Sequence, residues 1–500
     1  MLVKLQKEIK SHLVIYIVLA AVLLGGLFFR VYRVDKILGF YFDQGRDALV
    51  IWDLIYKGEF FLIGPTTGLA GIFRGPYYYY LIAPFYFLGS GSPVWPSVFL
   101  AVTTIFAGLL GYILGKKIVG REAGIIFAVI SSFSFNIIFA SRWLSNPTPM
   151  LALSMILVWA MIKVTEGKKW GWPVIALTSG LSLFNFGSSG ELFYFPAIFI
   201  FLVWQWKNRP DLKNLIISVI LFTLTFAPLV LFDLKHEGIL RNNIISTFGQ
   251  EKSFVVPSMN FISERTKIYY DIFTNKIFQS RGEIETYMLG AAGVIFLVLL
   301  PGLFKDKGFR VVLLLLLGAT IGLYFYQGNY GVLYDYYMTG YYLIFILLFS
   351  LVLGKAWKYP LGKAFVVLFL ILFLKNNVEI AMSRISDNLD GPGSIGLLNQ
   401  KQSIDWIYGD AGGRPFNVDV YVPPVIPYAY DYLFRWYGGR IHGREPEVNQ
   451  IELLYTLYED DPPHPERLEA WLLRQKGIGK VEESQSFGGI TVERRTRIKE

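Results

Sequence analysis

The chain has 500 residues, 54% of them hydrophobic and only 17% charged, against roughly 25% charged in soluble domains. With a mean hydropathy of +0.44, this excludes a soluble multidomain enzyme. The formal charge of +9 falls largely in short loops between apolar runs, where Lys and Arg set membrane orientation, so it points to membrane lipids and not to nucleic acid. The absence of cysteine excludes disulfides, thiolate zinc sites and a cysteine nucleophile. The histidines, His12, His236, His442 and His464, nowhere stand at metal-ligand spacing, and no metal site is expected.

Apolar runs of about 20 residues have the length of a membrane-crossing helix. The first, Leu13 to Phe29, follows Lys4, Lys7 and Lys10 and ends in Phe28-Phe29-Arg30 instead of a small-residue cleavage site, which makes it a span and not a signal peptide. Further spans are expected at Ser97 to Gly115, Ala123 to Ala140, Pro149 to Val164, Gly171 to Phe186, Leu192 to Trp206, Leu215 to Phe232, Tyr287 to Phe304, Val311 to Phe325, Tyr336 to Gly354 and Tyr359 to Leu374. With the N-terminus inside, the cytoplasmic loops carry Lys116, Lys117 and Arg121, Lys168 and Lys169, Lys207, Arg209 and Lys213, Lys305, Lys307 and Arg310, and Lys355, Lys358 and Lys363. The short outer loops carry only Arg142, a consistent positive-inside pattern.

The segment Gly75 to Gly89 is apolar but short and contains Pro84. Counting it as a crossing would invert every later loop, so it is expected to be an interfacial or re-entrant helix whose tyrosines suit the headgroup region. The chain therefore reads as an all-α polytopic membrane protein of about eleven transmembrane helices with a small C-terminal α/β domain. The membrane domain is expected over residues 1–380, with long outer segments at 30–93 and 233–285, and the extracytoplasmic domain over 381–500. In that tail the pattern predicts a helix at Gln402 to Tyr408, a strand at Phe416 to Val422, a helix at Pro465 to Lys476, and a hairpin of Lys480 to Glu483 with Ile490 to Arg494 turning at Gly488-Gly489. Gly391-Pro392-Gly393-Ser394-Ile395-Gly396 matches GxGxxG in form only, since no strand precedes it, and reads as a turn.

The first outer segment holds Phe40-Tyr41-Phe42-Asp43-Gln44-Gly45-Arg46-Asp47. If helical, it presents Asp43 and Asp47 on one face with Arg46 beside them. The plain alternative is a solvated, capped amphipathic helix. Its position weighs against that alternative: it directly follows a span and is followed by a Gly-rich, aromatic stretch ending in Arg74-Gly75-Pro76-Tyr77.

These features resemble the GT-C superfamily of integral-membrane glycosyltransferases, in particular the branch of aminoarabinose transferases, protein mannosyltransferases and rhizobial lipopolysaccharide sugar transferases. Those proteins place an acidic motif, often Asp-Glu, early in the first outer loop, and a Lys/Arg-Pro-Pro-type motif at the opening of an aromatic apolar segment. Asp43-Gln44 and Arg74-Gly75-Pro76-Tyr77 stand in these places. Gln44 replaces the usual second acid, and Asn146 stands where relatives often carry Asp at the outer end of a span. The Trp-Trp-Asp signature of the oligosaccharyltransferase branch does not occur, which disfavours en bloc transfer to asparagine. The resemblance implies inverting transfer of a sugar from a polyprenyl-phosphate sugar to a lipid, glycan or protein acceptor at the outer face of the plasma membrane. It implies no cofactor beyond the lipid-linked donor.

Such a reaction needs a base for the acceptor hydroxyl and cations for the departing phosphate. Asp43 is the candidate base, and Asp47 is placed to position it. Guanidinium groups bind phosphate in bidentate fashion, which puts Arg74 first, Arg142 second and Arg241, with His236 close by in sequence, third. Arg142 has an alternative reading as a cation snorkelling to the interface. Asp335 and Tyr336, at the outer entry of a span, are further ligand candidates, because carboxylates at membrane depth usually have a reason. The competing class is a transporter or flippase of lipid-linked sugars with the same hydrophobic profile. The concentration of acids in outer loops, not deep in spans, favours the enzyme.

Overall fold

The computed structural model describes residues 8, 10–67, 71–250, 254–326, 328 and 331–498, so Lys4 and Lys7 lie outside the described residues. In chain order the helices of the membrane part are α1 (Leu13–Val31), α2 (Phe42–Lys57), α3 (Tyr77–Leu88), α4 (Val94–Ile118), α5 (Arg121–Phe133), α6 (Phe135–Arg142), α7 (Met150–Thr165), α8 (Gly171–Leu181), α9 (Tyr194–Trp204), α10 (Leu212–Lys235), α11 (Ile239–Gln250), α12 (Met259–Thr274), α13 (Glu283–Leu303), α14 (Lys307–Phe325), α15 (Thr339–Ala356) and α16 (Pro360–Ser386). Every expected span is helical.

By length and composition, seven helices among the described residues suffice to cross a membrane, and α5 with α6, bent by 63°, makes eight. The remaining three of the eleven expected spans are shorter. Helix α7 has 16 residues, about 24 Å against a hydrocarbon core of about 30 Å. Helix α8 stops after 11 residues and continues as a π turn, Ser182–Phe186, and α9 also has 11 residues. An apolar run in the sequence cannot distinguish a helix that crosses lipid from one enclosed by neighbours. Along α7, Met150, Leu151, Met155, Val158, Met161 and Val164 are completely buried.

Helix α15 forms the centre, packed against α5, α7, α13 and α14. Its approach to α5 depends on small residues: a Cβ added at Gly354 would lie 2.4 Å from that of Ala123. The segment Gly75 to Gly89 contains a 12-residue helix, α3, with Pro84 inside it. The basic loops gather at one end, where Lys117 pairs with Glu166, Lys116 with Glu8, and Trp172 Nε1 donates to the Asn208 carbonyl at 2.8 Å.

The C-terminal part contains α17 (Leu397–Ala411), β1 (Asn417–Tyr421), α18 (Tyr428–Leu433), β2 (Leu453–Glu459), α19 (Pro465–Ile478), β3 (Gly479–Phe487) and β4 (Ile490–Arg497). Its sheet has the order β1-β2-β4-β3, with β1 parallel to β2 and the other pairs antiparallel. The expected hairpin is present, and its strand β3 carries an irregularity between Val481 and Glu483. The tail aromatics have structural work: Tyr432 OH donates to the Gly91 carbonyl at 2.5 Å, and Trp436 Nε1 to that of Ser90 at 3.0 Å. They seal the C-terminal layer onto the outer segment. Gly45 makes the tightest junction, because a Cβ there would come within 2.3 Å of Ala429 N.

Candidate active site

Helix α2 starts at Phe42 because the Gln44 side chain turns back to its own first turn, its Oε1 accepting from Tyr41 N at 3.1 Å. The other end of the same amide donates from Nε2 to the buried Leu144 carbonyl at 3.0 Å. A carboxylate could not donate this second bond, which gives Gln44 a reason to differ from an acid. The amide also ties the acidic helix to segment 143–147.

Arg46 is the centre of the acidic cluster. Its Nη1 pairs with Asp43 Oδ1 at 2.9 Å, while Nε and Nη2 reach Asp47 Oδ1 at 3.0 and 2.8 Å. Tyr79 OH of α3 donates to the same Asp47 oxygen at 2.8 Å. Burial pushes the Asp47 carboxyl up to about 6, against the opposing pull of Arg46 and Tyr79. Asp43 is different: its side chain is 57% exposed and borders open space. Asp47 therefore fixes Arg46, and Arg46 fixes Asp43.

That space is a cavity of about 800 Å³ lined by Asp43, Arg46 and Asp47 at its polar end. Arg74 enters from the loop 64–76, which closes on itself through Gly64 N to Arg74 O at 2.7 Å and Arg74 N to Pro65 O at 3.0 Å. The loop docks on the π turn, where Gly75 N donates to the Phe184 carbonyl at 2.7 Å and Arg74 Nη1 to that of Leu183 at 3.0 Å. Among the described residues, no carboxylate lies within ion-pair distance of Arg74. Burial lowers its basicity, and the charge of Glu191 opposes that effect.

Arg241 also lines the cavity, together with Asp233, whose Oδ1 accepts from Arg241 N at 2.9 Å. Tyr336 and Tyr337 form an aromatic wall, with Trp143 edge-on to Tyr336 at 6.2 Å. The opposite wall is apolar, formed by Phe226, Leu229, Val230 and Leu234 of α10 with Leu240 and Ile244 of α11.

Thus Asp43, Asp47, Arg74, Arg241 and Tyr336 share one cavity, whereas Arg142, His236 and Asp335 do not line it. Arg142 is buried outside it, its guanidinium 5.9 Å from the Phe139 ring centre. The His236 ring stacks on Phe232 at 4.1 Å, with Nδ1 at 2.8 Å from that residue's carbonyl. Asp335 is held by the buried Lys276 at 2.8 and 3.0 Å. Partners thus capture His236 and Asp335, whereas Arg142 packs against Phe139.

Sequence reasoning missed Asp233, Lys276 and Glu191. Glu191 is buried, its two oxygens accepting from Ser188 N at 2.6 Å and Gly340 N at 2.8 Å, so it joins the loop before α9 to the start of α15. It is the only acid between Glu166 and Asp211, which was the available signal. Among the described residues, no group of three or more His, Asp or Glu side chains is arranged to hold a metal ion.

No protein-family model matches the chain, and no curated protein matches its sequence. Similarity appears in three dimensions. The aminoarabinose transferase ArnT from Cupriavidus metallidurans in the apo state superposes with a TM-score of 0.61 at 8% identity, over 97% of this chain and 98% of that one. The chain has the GT-C fold. The same transferase bound to undecaprenyl phosphate gives a TM-score of 0.56 at 10% identity, over 97% and 98% of the two chains. An oligosaccharyltransferase from Archaeoglobus fulgidus gives 0.48 at 11% identity, over 93% and 71%. The similarity to ArnT extends over nearly the whole of both chains.

Proposed function

We propose that this GT-C chain is a membrane glycosyltransferase that moves a sugar, with inversion, from a polyprenyl-phosphate donor to a lipid, glycan or protein acceptor at the outer face of the membrane. The observation that carries this reading is the shared cavity: the Asp43 carboxylate, fixed by Arg46, and the Arg74 guanidinium, with no carboxylate partner among the described residues, border one space. That space continues along the apolar side chains of α10 and α11, which suit an isoprenoid chain. The solved relative that holds undecaprenyl phosphate supports the same class of carrier.

In this mechanism Asp43 accepts the proton of the acceptor hydroxyl as its oxygen attacks the anomeric carbon. The bond from that carbon to the phosphate oxygen breaks, and polyprenyl phosphate departs with its charge held by Arg74 and Arg241. Asp47 and Tyr79 act through Arg46 as positioning residues. The aromatic wall of Tyr336 and Tyr337 gives the sugar ring a flat face to rest on. Residues 1–380 form the catalytic unit in this reading, and residues 381–500 an extracytoplasmic layer behind it.

Purified protein in liposomes, offered a panel of polyprenyl-monophosphate sugars and candidate acceptors, should release polyprenyl phosphate in step with sugar transfer. Movement of lipid-linked sugar across the bilayer without transfer would establish the flippase reading instead. For orientation, a cysteine at the exposed Ser484 should react with an impermeant thiol reagent from outside and one at Lys168 should not. Gly489 cannot carry that probe, because a Cβ there would lie 2.8 Å from the Pro392 carbonyl.

A further inference from the structure

Arg142, left outside the cavity, belongs to a second cationic cluster. Its side chain is buried, and Nη1 has no hydrogen-bond partner among the described residues. Arg30 and Arg384 are within electrostatic reach. Arg30 is fully buried at the end of α1 and caps the broken span: Nη1 donates to Gly26 and Ser132 carbonyls at 2.7 and 2.8 Å, and Nη2 to that of Ser131 at 2.7 Å. Arg33 Nη1 donates to the Ile385 carbonyl at 2.8 Å. Arg384 is half-buried, and its Nη1 reaches Asp387 Oδ2 at 3.3 Å.

Arg30, Arg142 and Arg384 therefore converge where α1, α6 and α16 meet, and Asp387 is the one carboxylate ion-paired with them among the described residues. The apolar neighbours Phe29, Ile138, Ile385 and Leu389 form a single packed cluster, which brings these helix ends together. The same helix ends carry exposed apolar side chains, Phe28, Tyr32, Phe139 and Met382, and Phe139 lies at the Arg142 guanidinium. Buried cations are retained when an anion completes them, because an unpaired buried charge is costly. Here the anion must come from the side on which aromatic and aliphatic groups face outward.

We propose that this cluster binds the headgroup phosphate of an anionic phospholipid in the leaflet on the cavity side of the membrane. Arg142 and Arg384 take the phosphate, Arg30 adds charge from behind, and the acyl chains lie against Phe28, Phe139 and Met382. The exposed apolar side chains argue for a lipid in preference to a free anion. Basic pockets between transmembrane helices bind acidic headgroups by the same physics. Arg142 immediately precedes Trp143, which lines the cavity, so an occupied site would also brace that wall.

The test uses the full chain in nanodiscs of phosphatidylcholine doped with phosphatidylglycerol, with co-purifying lipid counted by native mass spectrometry. The wild type should retain phosphatidylglycerol selectively, and Arg142→Gln and Arg384→Gln should each weaken retention by about tenfold, the loss of one charge-assisted contact. Should Arg142→Gln fail to fold, Arg384→Gln, at a half-exposed helix end, carries the test. Lys213→Gln, at the start of α10, is the control and should change nothing. Equal retention of the two lipids by the wild type, or unchanged retention in Arg384→Gln, would overturn the proposal. Full displacement of phosphatidylglycerol by millimolar inorganic phosphate would assign the site to a free anion and overturn it as well. The readout is independent of sugar transfer, so the two readings can fail separately.

Discussion

Asp43→Asn and Asp47→Asn remove the same charge from one helix and should differ in their effect on turnover. Asp43 is 57% exposed, and its ion pair with Arg46 at 2.9 Å is of a kind that contributes at most about 1 kcal/mol. Its loss should leave the melting transition nearly unchanged. As the base it should lower turnover by about 10²-fold or more, which corresponds to about 2.7 kcal/mol of activation free energy. Asp47 is buried and receives three donors on one oxygen. An amide keeps an acceptor there but loses the charge. Two charge-assisted bonds of about 1.5–3 kcal/mol each are weakened, but burial outweighs their pull on the native carboxylate, so stability at neutral pH should be unchanged or slightly higher. Turnover should fall less than in Asp43→Asn. Asp53→Asn, which breaks the pair with Lys57 at 2.8 Å, should be mild on both counts. Initial rates in proteoliposomes and unfolding curves in matched detergent read the two quantities. A normal rate in Asp43→Asn would refute the base assignment, and a larger rate loss in a fully stable Asp47→Asn would exchange the roles of the two residues.

Three further outcomes follow from the geometry. Arg74→Ala should raise the donor KM more than Arg74→Lys, since lysine keeps the charge and loses the fork, with the ratio read from donor titrations. Gly45→Ala should cost about 1–3 kcal/mol, because the new Cβ meets the Ala429 backbone and no rotamer relieves it; faster limited proteolysis between residues 411 and 453 would report the loosened C-terminal layer. The Asp47 carboxyl, raised from 3.8 to about 6 in the fold, binds a proton more readily folded than unfolded. Its contribution to stability is thus present below 3.8 and lost as pH rises through about 6, and Asp47→Asn should flatten that part of the wild-type profile of melting temperature against pH.

What could be read from the sequence divides along physical lines. Apolar run length located the spans, and the Asp43/Asp47 spacing located a helix with both acids on one face, because these are properties of neighbouring residues. Strand β2 was missed: Leu453–Glu459 is buried in consecutive positions between two partners and has no alternation to read. Arg142 and His236 were legible as phosphate-binding candidates at span ends. Which way each side chain points depends on Phe139, Phe232 and helix ends far away in sequence. Asp233 and Glu191 were hidden for the converse reason. Each is an unremarkable acid at a span end until folding brings it to Arg241 or to the start of α15.

The bend at Ser134 has a consequence for depth. Helix α6 has eight residues, about 12 Å of rise, and it leaves α5 at 63°. The end of α6 therefore advances only about 5 Å along the line of α5 and moves about 11 Å sideways. A straight span would have carried Trp143 and Asn146 farther along the line of α5. The bent one turns them aside, to the cavity that both line. Under the proposed function, a carrier phosphate anchored by its own hydrocarbon tail would reach Arg74 without being lifted from the lipid, so the work of extraction that a soluble transferase would have to perform would not arise.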